Sequence, residues 1–289
     1  MRLRETATAA GMIRVSGPTL PVVVVCNSIL DHRALRIEYV VALRAFGDGA
    51  LFGDVGGDGP PRVLALHGWG RRGTDFAASL QGFSYIALDL PGFGATPAFE
   101  QPQGASGYAE AVVPVFEEMA ARPILVGHSF GGRVAVVLAS RYPDRIGGLV
   151  LTGVPLLRGL GSGRPRLGFR LIRWGNRVGL VSDLRMEQIR RKHGSADYRA
   201  ASGVMRQTLV TVVNESYEEE LRLIKAPVHL VWGSDDTEVP VGVAQRASGF
   251  LKEQGVEVTL DVLAGVGHWV PTEAPSALRD AVEQMLGRP

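Results

Sequence analysis

The sequence lacks the features that mark secreted, membrane-spanning and nucleic-acid-binding proteins. Among its 289 residues it has one cysteine, Cys26, so no disulfide can form within the chain, as is common in a reducing compartment. No apolar run approaches the roughly 18 residues of a membrane span, and the N-terminal residues do not match a signal peptide. A net charge of +2 is too weak to indicate binding to nucleic acid or a membrane. By elimination, we expect a cytoplasmic location.

Patterns that bind metals or nucleotide cofactors are missing too. The sequence contains no cluster with metal-ligand spacing, no Walker loop and no dinucleotide fingerprint. Gly92-Phe93-Gly94 follows Asp89 in a predicted loop and does not open a helix. We therefore expect no metal and no cofactor, and a small molecule as the partner.

From about residue 40 onward, β-branched runs alternate with segments of helical periodicity, which is typical of a mostly parallel sheet between two layers of helices. We predict an α/β core at residues 39–153 and 226–289. The alternation lapses at 154–225, which predicts a helical cap inserted over the carboxyl ends of the strands. Residues 1–38 form an extension that could be a tail, an added strand or sequence upstream of the real start.

Within the core the pattern predicts particular elements. The predicted strands are 42–46, 50–55, 63–66, 85–88, 124–127, 148–152, 228–232 and 257–263. The predicted helices are 74–80 with Thr74 as N-cap, 107–121 with a kink at Pro114, 130–140 and 276–286.

The clearest chemical motif is Gly127-His128-Ser129-Phe130-Gly131, between a predicted buried strand and a predicted helix. A G-x-S-x-G in this context is the nucleophile-elbow motif, whose tight turn requires small residues two positions either side of the serine. The turn projects the hydroxyl above the sheet edge at a helix N-terminus, where developing negative charge is favoured. The motif therefore predicts Ser129 as a nucleophile.

A serine hydroxyl needs a base to activate it, and the base needs an orienting acid. After a nucleophile elbow the acid comes next in the chain and the histidine last. His268 lies on a glycine-rich loop after the last predicted strand, which predicts it as the base. The loop after the penultimate strand offers Asp235, Asp236 and Glu238, and spacing alone leaves the two aspartates open.

The oxyanion of acyl transfer needs preorganised N–H donors. The motif supplies one at Phe130, the residue after the nucleophile, and places the second in the loop after the strand at 63–66. In His67-Gly68-Trp69-Gly70 the glycines let the backbone curl toward the site, and we predict the Trp69 N–H as the second donor. We also expect the side chains of Trp69, His128 and Trp269 to contact the substrate.

Together these segments resemble the α/β-hydrolase superfamily, in the branch of small capped serine hydrolases that includes carboxylesterases and meta-cleavage-product hydrolases. The resemblance covers about residues 42–286 and implies the α/β-hydrolase fold. It rests on His67-Gly68-Trp69, Asp89–Gly94, Gly127–Gly132, Trp232…Pro240, and Gly267-His268-Trp269 with Glu273-Ala274-Pro275. The family's G-x-x-D-x-x-x-P pattern selects Asp236 over Asp235. The family's alternative acid position, after Thr152, holds no carboxylate.

The resemblance implies hydrolysis of a carboxylic ester or thioester through an acyl-enzyme on Ser129, with His268 as base and Asp236 orienting it. A second interpretation is hydrolysis of a carbon–carbon bond in a diketone acid, which the same triad supports. Cofactor-free acyl transfer or peroxidation is a third. A non-catalytic ligand-binding protein on this fold belongs to a different class. The sequence does not indicate an oligomeric state.

The predicted cap region carries an excess of positive charge. Residues 153–225 hold fourteen basic and seven acidic side chains. Such a surface could draw in an anionic substrate, for example a carboxylate or a coenzyme-A ester. The alternative is that these side chains only solvate helix faces.

Overall fold

The computed structural model describes residues 12–15, 22–25, 42–157 and 195–288. Within these ranges ten strands join in one sheet. Their bounds are β1 Met12–Val15, β2 Val22–Val25, β3 Ala42–Phe46, β4 Leu51–Gly56, β5 Val63–Leu66, β6 Tyr85–Asp89, β7 Ile124–His128, β8 Gly148–Thr152, β9 Val228–Gly233 and β10 Val258–Leu263.

Helices connect most of the parallel strands. In the described part of the chain they are α1 Ala77–Leu80, α2 Ala105–Val112, α3 Phe130–Arg141, α4 Ala196–Ala200, α5 Gly203–Val212, α6 Glu218–Leu223, α7 Val241–Glu253, α8 Val270–Glu273 and α9 Pro275–Leu286. Short 3-10 helices at Gly73–Phe76 and Val113–Glu118 precede α1 and follow α2.

The sheet order is β1-β2-β3-β4-β6-β5-β7-β8-β9-β10. β1 to β4 are antiparallel, β4 pairs antiparallel with β6, and the strands from β6 to β10 are parallel. After β6 the chain crosses to the other side of β5, so the loops that leave β5 and β7 diverge at the same sheet edge. In an open α/β sheet, ligands bind at such a switch point.

The sheet separates two apolar clusters. Leu64 and Leu66 of β5 face a cluster that includes α2, α3 and α7, whereas Val63 and Ala65 face a second cluster with α1 and α9. Successive strand residues point to opposite faces, and both are buried, which explains why β5 to β9 are continuously apolar. The result is the three-layer α/β-hydrolase fold, as predicted.

The predicted core strands are confirmed to within about two residues, and two local predictions are wrong. The helix predicted at 107–121 ends at Val112 and continues as a 3-10 helix, because Pro114 has no N–H to extend the α-helical ladder. Thr74 is not an N-cap, since it lies inside the 3-10 turn that starts at Gly73. The Gly73 N–H donates instead to the Asp89 carboxylate, at 2.9 Å, so a distant side chain caps this turn.

Three regions remain to be compared with the sequence prediction: the N-terminal extension, the segment between β9 and β10, and the predicted cap. β1 and β2 lie in the predicted N-terminal extension, for which an added strand is one of the alternatives; β2 pairs antiparallel with β3, and β1 pairs antiparallel with β2. The helix α7, between β9 and β10, was not predicted. Most of the predicted cap, residues 158–194, lies outside the described residues, whereas its last part forms α4 to α6.

Candidate active site

Ser129 lies at the carboxyl end of β7, immediately before α3, in a backbone conformation that non-glycine residues rarely adopt. Its φ is 48° and its ψ is −108°. Such strain persists only where the surroundings impose it, and it is frequent at functional sites. Here the Ser129 N–H donates to the Thr152 carbonyl at the end of β8, at 2.9 Å, which fixes the turn against the neighbouring strand.

The loop after β5 passes directly against this turn. A Cβ added at Gly68 would lie 2.5 Å from His128 Nδ1 and 3.5 Å from Ser129 Cβ, so only glycine permits the approach. The Gly131 N–H donates to the His67 carbonyl at 3.0 Å, and the rings of Trp69 and Phe130 are 5.4 Å apart. Because Phe130 opens α3, its N–H has no acceptor within the helix. The structure thus brings the two predicted oxyanion donors, Trp69 and Phe130, onto adjoining segments.

His67 holds the loop after β5 to the loop after β6. Its Nδ1 donates to the Gly68 carbonyl at 2.7 Å, and its Nε2 accepts from the Leu90 N–H at 2.9 Å. This pairing requires a neutral ring. Burial lowers the pKa of His67 to about 4, which agrees with the pairing. His67 therefore has a positioning contact that its place in the motif did not reveal.

Asp236 and His268 form a buried pair. His268 Nδ1 is 2.8 Å from Asp236 Oδ2, and the two residues are only 6% and 5% exposed. The other carboxylate oxygen of Asp236 accepts the N–H groups of Glu238, at 2.9 Å, and Val239, at 2.7 Å. With its orientation fixed in this way, Asp236 can hold the proton of His268 on Nδ1 and leave Nε2 free to accept another. Asp235 is exposed and is bonded to Ser234 Oγ.

Two contacts place His268 beside the serine turn. His128 Nε2 is 2.9 Å from the His268 carbonyl oxygen, which can only accept, so the His128 ring donates to it. Burial, together with His268, lowers the pKa of His128 to about 3, in agreement with a neutral ring. On the other side, a Cβ added at Gly153, which follows Thr152, would lie 2.8 Å from His268 Cε1. The structure thus gathers Ser129, Asp236 and His268 at the carboxyl ends of β7 to β9.

Aromatic side chains surround these polar groups. Phe93 is 5.0 Å from Trp69 and 6.4 Å from Phe130, measured between ring centroids. Trp269 lies 5.1 Å from the His268 ring and 5.3 Å from the His128 ring. Trp69 and Trp269 are partly exposed, whereas His128 is 2% exposed. Substrate contacts by these three residues stay predictions. Phe93 was not predicted, although its loop was.

A further carboxyl group approaches His268. Glu238 Oε2 is 3.7 Å from His268 Nε2, and the Glu238 side chain is 55% exposed. Burial raises the pKa of Asp197, on α4 of the insertion, and the charge of His268 acts in the opposite direction. The sequence offered Glu238 only as a candidate acid, whereas the structure places it at the opposite nitrogen from Asp236.

The described ranges contain no helix that is long and apolar enough to cross a membrane. Within the same ranges, no three His, Cys, Asp or Glu side chains are grouped so that they could hold a metal ion.

Comparisons with known proteins agree with this architecture. The sequence model of the Alpha/beta hydrolase family matches residues 63–281, and the chain belongs to that family. One curated relative is the 2-hydroxy-6-oxononadienedioate/2-hydroxy-6-oxononatrienedioate hydrolase of Paraburkholderia phymatum. It is 26% identical, over 91% of this chain and 99% of the relative. The family and such relatives indicate that the chain is a hydrolase.

Solved structures of two kinds of hydrolase share the fold. An esterase from Rhodococcus sp. superposes with a TM-score of 0.59 and 22% identity, covering 85% of this chain and 98% of the esterase. A meta-cleavage product hydrolase from Pseudomonas fluorescens superposes with a TM-score of 0.56 and 20% identity, covering 82% of this chain and 94% of that hydrolase. At this identity the likeness is one of fold alone.

Proposed function

We propose that this protein is a serine hydrolase that cleaves carboxylic esters or thioesters of small substrates through an acyl-enzyme on Ser129. The observation that carries the proposal is the buried Asp236–His268 pair, 2.8 Å apart, next to a serine in a strained strand-to-helix turn. A pair of this kind next to a serine in a strand-to-helix turn favours acyl transfer.

In the first half of the reaction Ser129 Oγ attacks the carbonyl carbon of the substrate, and its proton passes to His268 Nε2. The carbonyl oxygen becomes an oxyanion, which accepts hydrogen bonds from the N–H groups of Trp69 and Phe130. Asp236 stabilises the imidazolium ion. The tetrahedral intermediate then collapses, its bond to the leaving group breaks, and the leaving group takes the proton from Nε2.

In the second half water attacks the acyl carbon of the ester formed with Ser129. His268 Nε2 takes a proton from that water and returns it to Ser129 Oγ as the second tetrahedral intermediate collapses. The products are a carboxylic acid and the free enzyme. The aromatic rings of Trp69, Phe93 and Trp269 form the apolar surroundings in which the acyl group and leaving group would bind.

Covalent labelling tests the nucleophile. A fluorophosphonate probe should label the folded wild-type protein and a Ser140→Ala control, whose substituted hydroxyl donates to the Val137 carbonyl within α3. Ser129→Ala should not be labelled and should not release p-nitrophenol from short p-nitrophenyl esters. Absence of labelling in folded wild-type protein, or labelling that persists in Ser129→Ala, would overturn the proposal.

Carbon–carbon bond hydrolysis is the second candidate, and the relative from Paraburkholderia phymatum favours it, since its name specifies a dienedioate or trienedioate substrate. The same three residues could serve that reaction. A direct comparison separates the two candidates. Turnover of short p-nitrophenyl esters without turnover of dienone acids supports the esterase, and the opposite result supports the second candidate. A binding protein without activity would turn over neither.

Attraction of an anionic substrate by the predicted cap remains a separate proposal. In the described segment 195–225 there are four basic and five acidic side chains, so the positive excess of the cap region comes from residues 158–194. Electrostatic attraction weakens as salt screens it. If the cap steers anions, kcat/KM for an anionic substrate should fall with increasing NaCl concentration; a rate that does not change with salt would contradict steering.

A further inference from the structure

The position of Glu238 has a consequence for the choice of substrate. Its Oε2 is 3.7 Å from His268 Nε2, the nitrogen that, in the proposed function, passes a proton to the leaving group. That transfer requires the leaving atom to be within hydrogen-bond distance of Nε2, about 3 Å. The leaving atom must therefore come within about 7 Å of the Glu238 carboxylate.

The other charges described around Nε2 do not neutralise Glu238. Asp236 binds the opposite nitrogen of the ring. Arg71 stacks on the Trp269 ring, 4.9 Å from its centroid, and is already ion-paired with Asp75. The side of the site that receives the leaving group thus faces the carboxylate of Glu238.

We propose that Glu238 is a specificity-determining residue, which disfavours substrates whose leaving group carries a negative charge near the scissile bond. The preferred substrates are then esters of neutral alcohols. This inference rests on the proposed function and sharpens it. Where cleavage of a dioate leaves a carboxylate near the broken bond on the leaving part, the same residue opposes that substrate. Since the Glu238 side chain is half exposed, water and salt moderate the effect to roughly threefold to tenfold in kcat/KM.

The backbone contact of Glu238 makes the residue suitable for substitution. Its N–H donates to Asp236 Oδ1, and every residue except proline would supply the same N–H at this position. Replacing the carboxylate therefore changes the charge beside Nε2 without removing a bond from Asp236. Glu238→Gln retains the size of the side chain, and Glu238→Ser is a second variant should glutamine fail to fold.

The test uses two acetate esters that differ in the charge of the leaving group. They are 4-carboxyphenyl acetate, which is anionic, and 4-(methoxycarbonyl)phenyl acetate, which is neutral. The measured quantity is the ratio of their kcat/KM values, anionic over neutral, in wild type and variants. Asp235→Asn is the matched control. It removes the same charge at a position three residues before Glu238, from an exposed side chain that bonds to Ser234 and not to His268.

We expect the ratio to rise by roughly threefold to tenfold in Glu238→Gln and to stay at the wild-type value in Asp235→Asn. Added NaCl should raise the ratio in wild type and affect Glu238→Gln less, since salt screens the repulsion. If both esters are hydrolysed and the ratio in Glu238→Gln equals that of wild type, the proposed role of Glu238 is overturned and the proposed function is not. If the folded wild-type protein neither hydrolyses the esters nor reacts with a fluorophosphonate, the proposed function fails, and this inference falls with it.

Discussion

Asp235 and Asp236 are adjacent on the loop after β9, yet their side chains have different surroundings. Asp236 is buried and accepts hydrogen bonds from His268 and from two backbone N–H groups. Asp235 is exposed and pairs with its neighbour Ser234. Of the two, only Asp236 contacts the imidazole of His268, and its hydrogen bonds to the backbone fix the direction of its carboxylate.

Substitution of these two aspartates tests the assignment at the scale of single residues. Asp236→Asn should lower kcat for p-nitrophenyl acetate by on the order of a thousandfold to ten-thousandfold, because asparagine favours the wrong tautomer of His268 and does not stabilise the imidazolium ion. Asp235→Asn should change kcat by less than about twofold, as for other exposed positions away from reacting groups. Steady-state kinetics on both variants decide the matter. Similar losses in the two would show that Asp236 is not the orienting acid.

The G-x-S-x-G motif does not indicate the contact that His128 makes in the structure. The sequence predicts that the side chain of His128 contacts the substrate. In the structure its ring is buried and donates to the backbone of His268, a residue 140 positions further along the chain. A contact of that sequence separation depends on the order of β7, β8 and β9 in the sheet, and the local sequence contains no sign of it.

At the scale of elements, the last part of the insertion is fastened to two helices of the core. Glu215 Oε2 accepts from the Ala105 N–H at the start of α2, at 3.1 Å, and from Tyr217 Oη, at 2.6 Å. Arg133 of α3 donates to the Val212 carbonyl and lies over the Tyr217 ring. The carboxylate at the N-terminus of α2 satisfies an N–H that has no acceptor within the helix.

Removing this connection should destabilise the protein. Glu215→Ala leaves the Ala105 N–H and the Tyr217 hydroxyl without their acceptor, and we expect a loss of about 1–3 kcal/mol in the free energy of unfolding. The matched control is Glu219→Ala, since the Glu219 side chain is 86% exposed and its ion pair with Arg222 is long, at 3.8 Å. The control should lose less than about 0.5 kcal/mol. Urea denaturation measures both, and equal losses would contradict a role for Glu215 in fastening the insertion.

The elements themselves were partly predictable. Strands β5 to β9 are short apolar runs buried on both faces, and such runs stand out in sequence. The α9 helix buries Leu278, Ala281, Val282 and Met285 at helical spacing. The 3-10 turn at Gly73 was not predictable from local residues, because the acceptor that caps it is the carboxylate of Asp89, at the end of β6.

At the scale of the whole molecule, two fully buried histidines couple folding to pH. The folded-state pKa values are about 4 for His67 and about 3 for His128, whereas unfolded histidine titrates near pH 6.5. Their contribution to stability is complete above pH 6.5 and is lost as the pH falls, because the unfolded chain then binds protons that the folded protein does not. Each histidine contributes a slope of about 1.4 kcal/mol per pH unit. Asp54 acts in the opposite direction, since burial and Asp89 raise its pKa to about 6.

The share of one histidine can be measured by substitution. His128→Gln keeps a donor for the His268 carbonyl but removes the titrating ring. We expect the slope of unfolding free energy against pH, between pH 6.5 and 5, to be smaller in this variant than in wild type by up to about 1.4 kcal/mol per pH unit. Urea denaturation at several pH values gives the slopes. Equal slopes would mean that His128 titrates normally in the folded protein.

The sequence by itself determined the layers of the molecule and the order of its chemical residues. Apolar runs of strand length, helical periodicity between them and the G-x-S-x-G turn are local patterns, and each one depends on residues close together in the chain. For that reason the fold and the position of Ser129 at a strand-to-helix turn could be predicted.

Only the tertiary structure decided which side chains meet. The Asp236–His268 bond, the contact of His128 with the His268 backbone and the approach of Glu238 to Nε2 all join loops from different strands. Spacing alone did not decide whether Asp235 or Asp236 is the orienting acid. The two residues are the same amino acid, and the direction of each side chain depends on the surrounding backbone. Sheet order brings the carboxyl ends of β7, β8 and β9 together, and that order follows from packing across the whole chain.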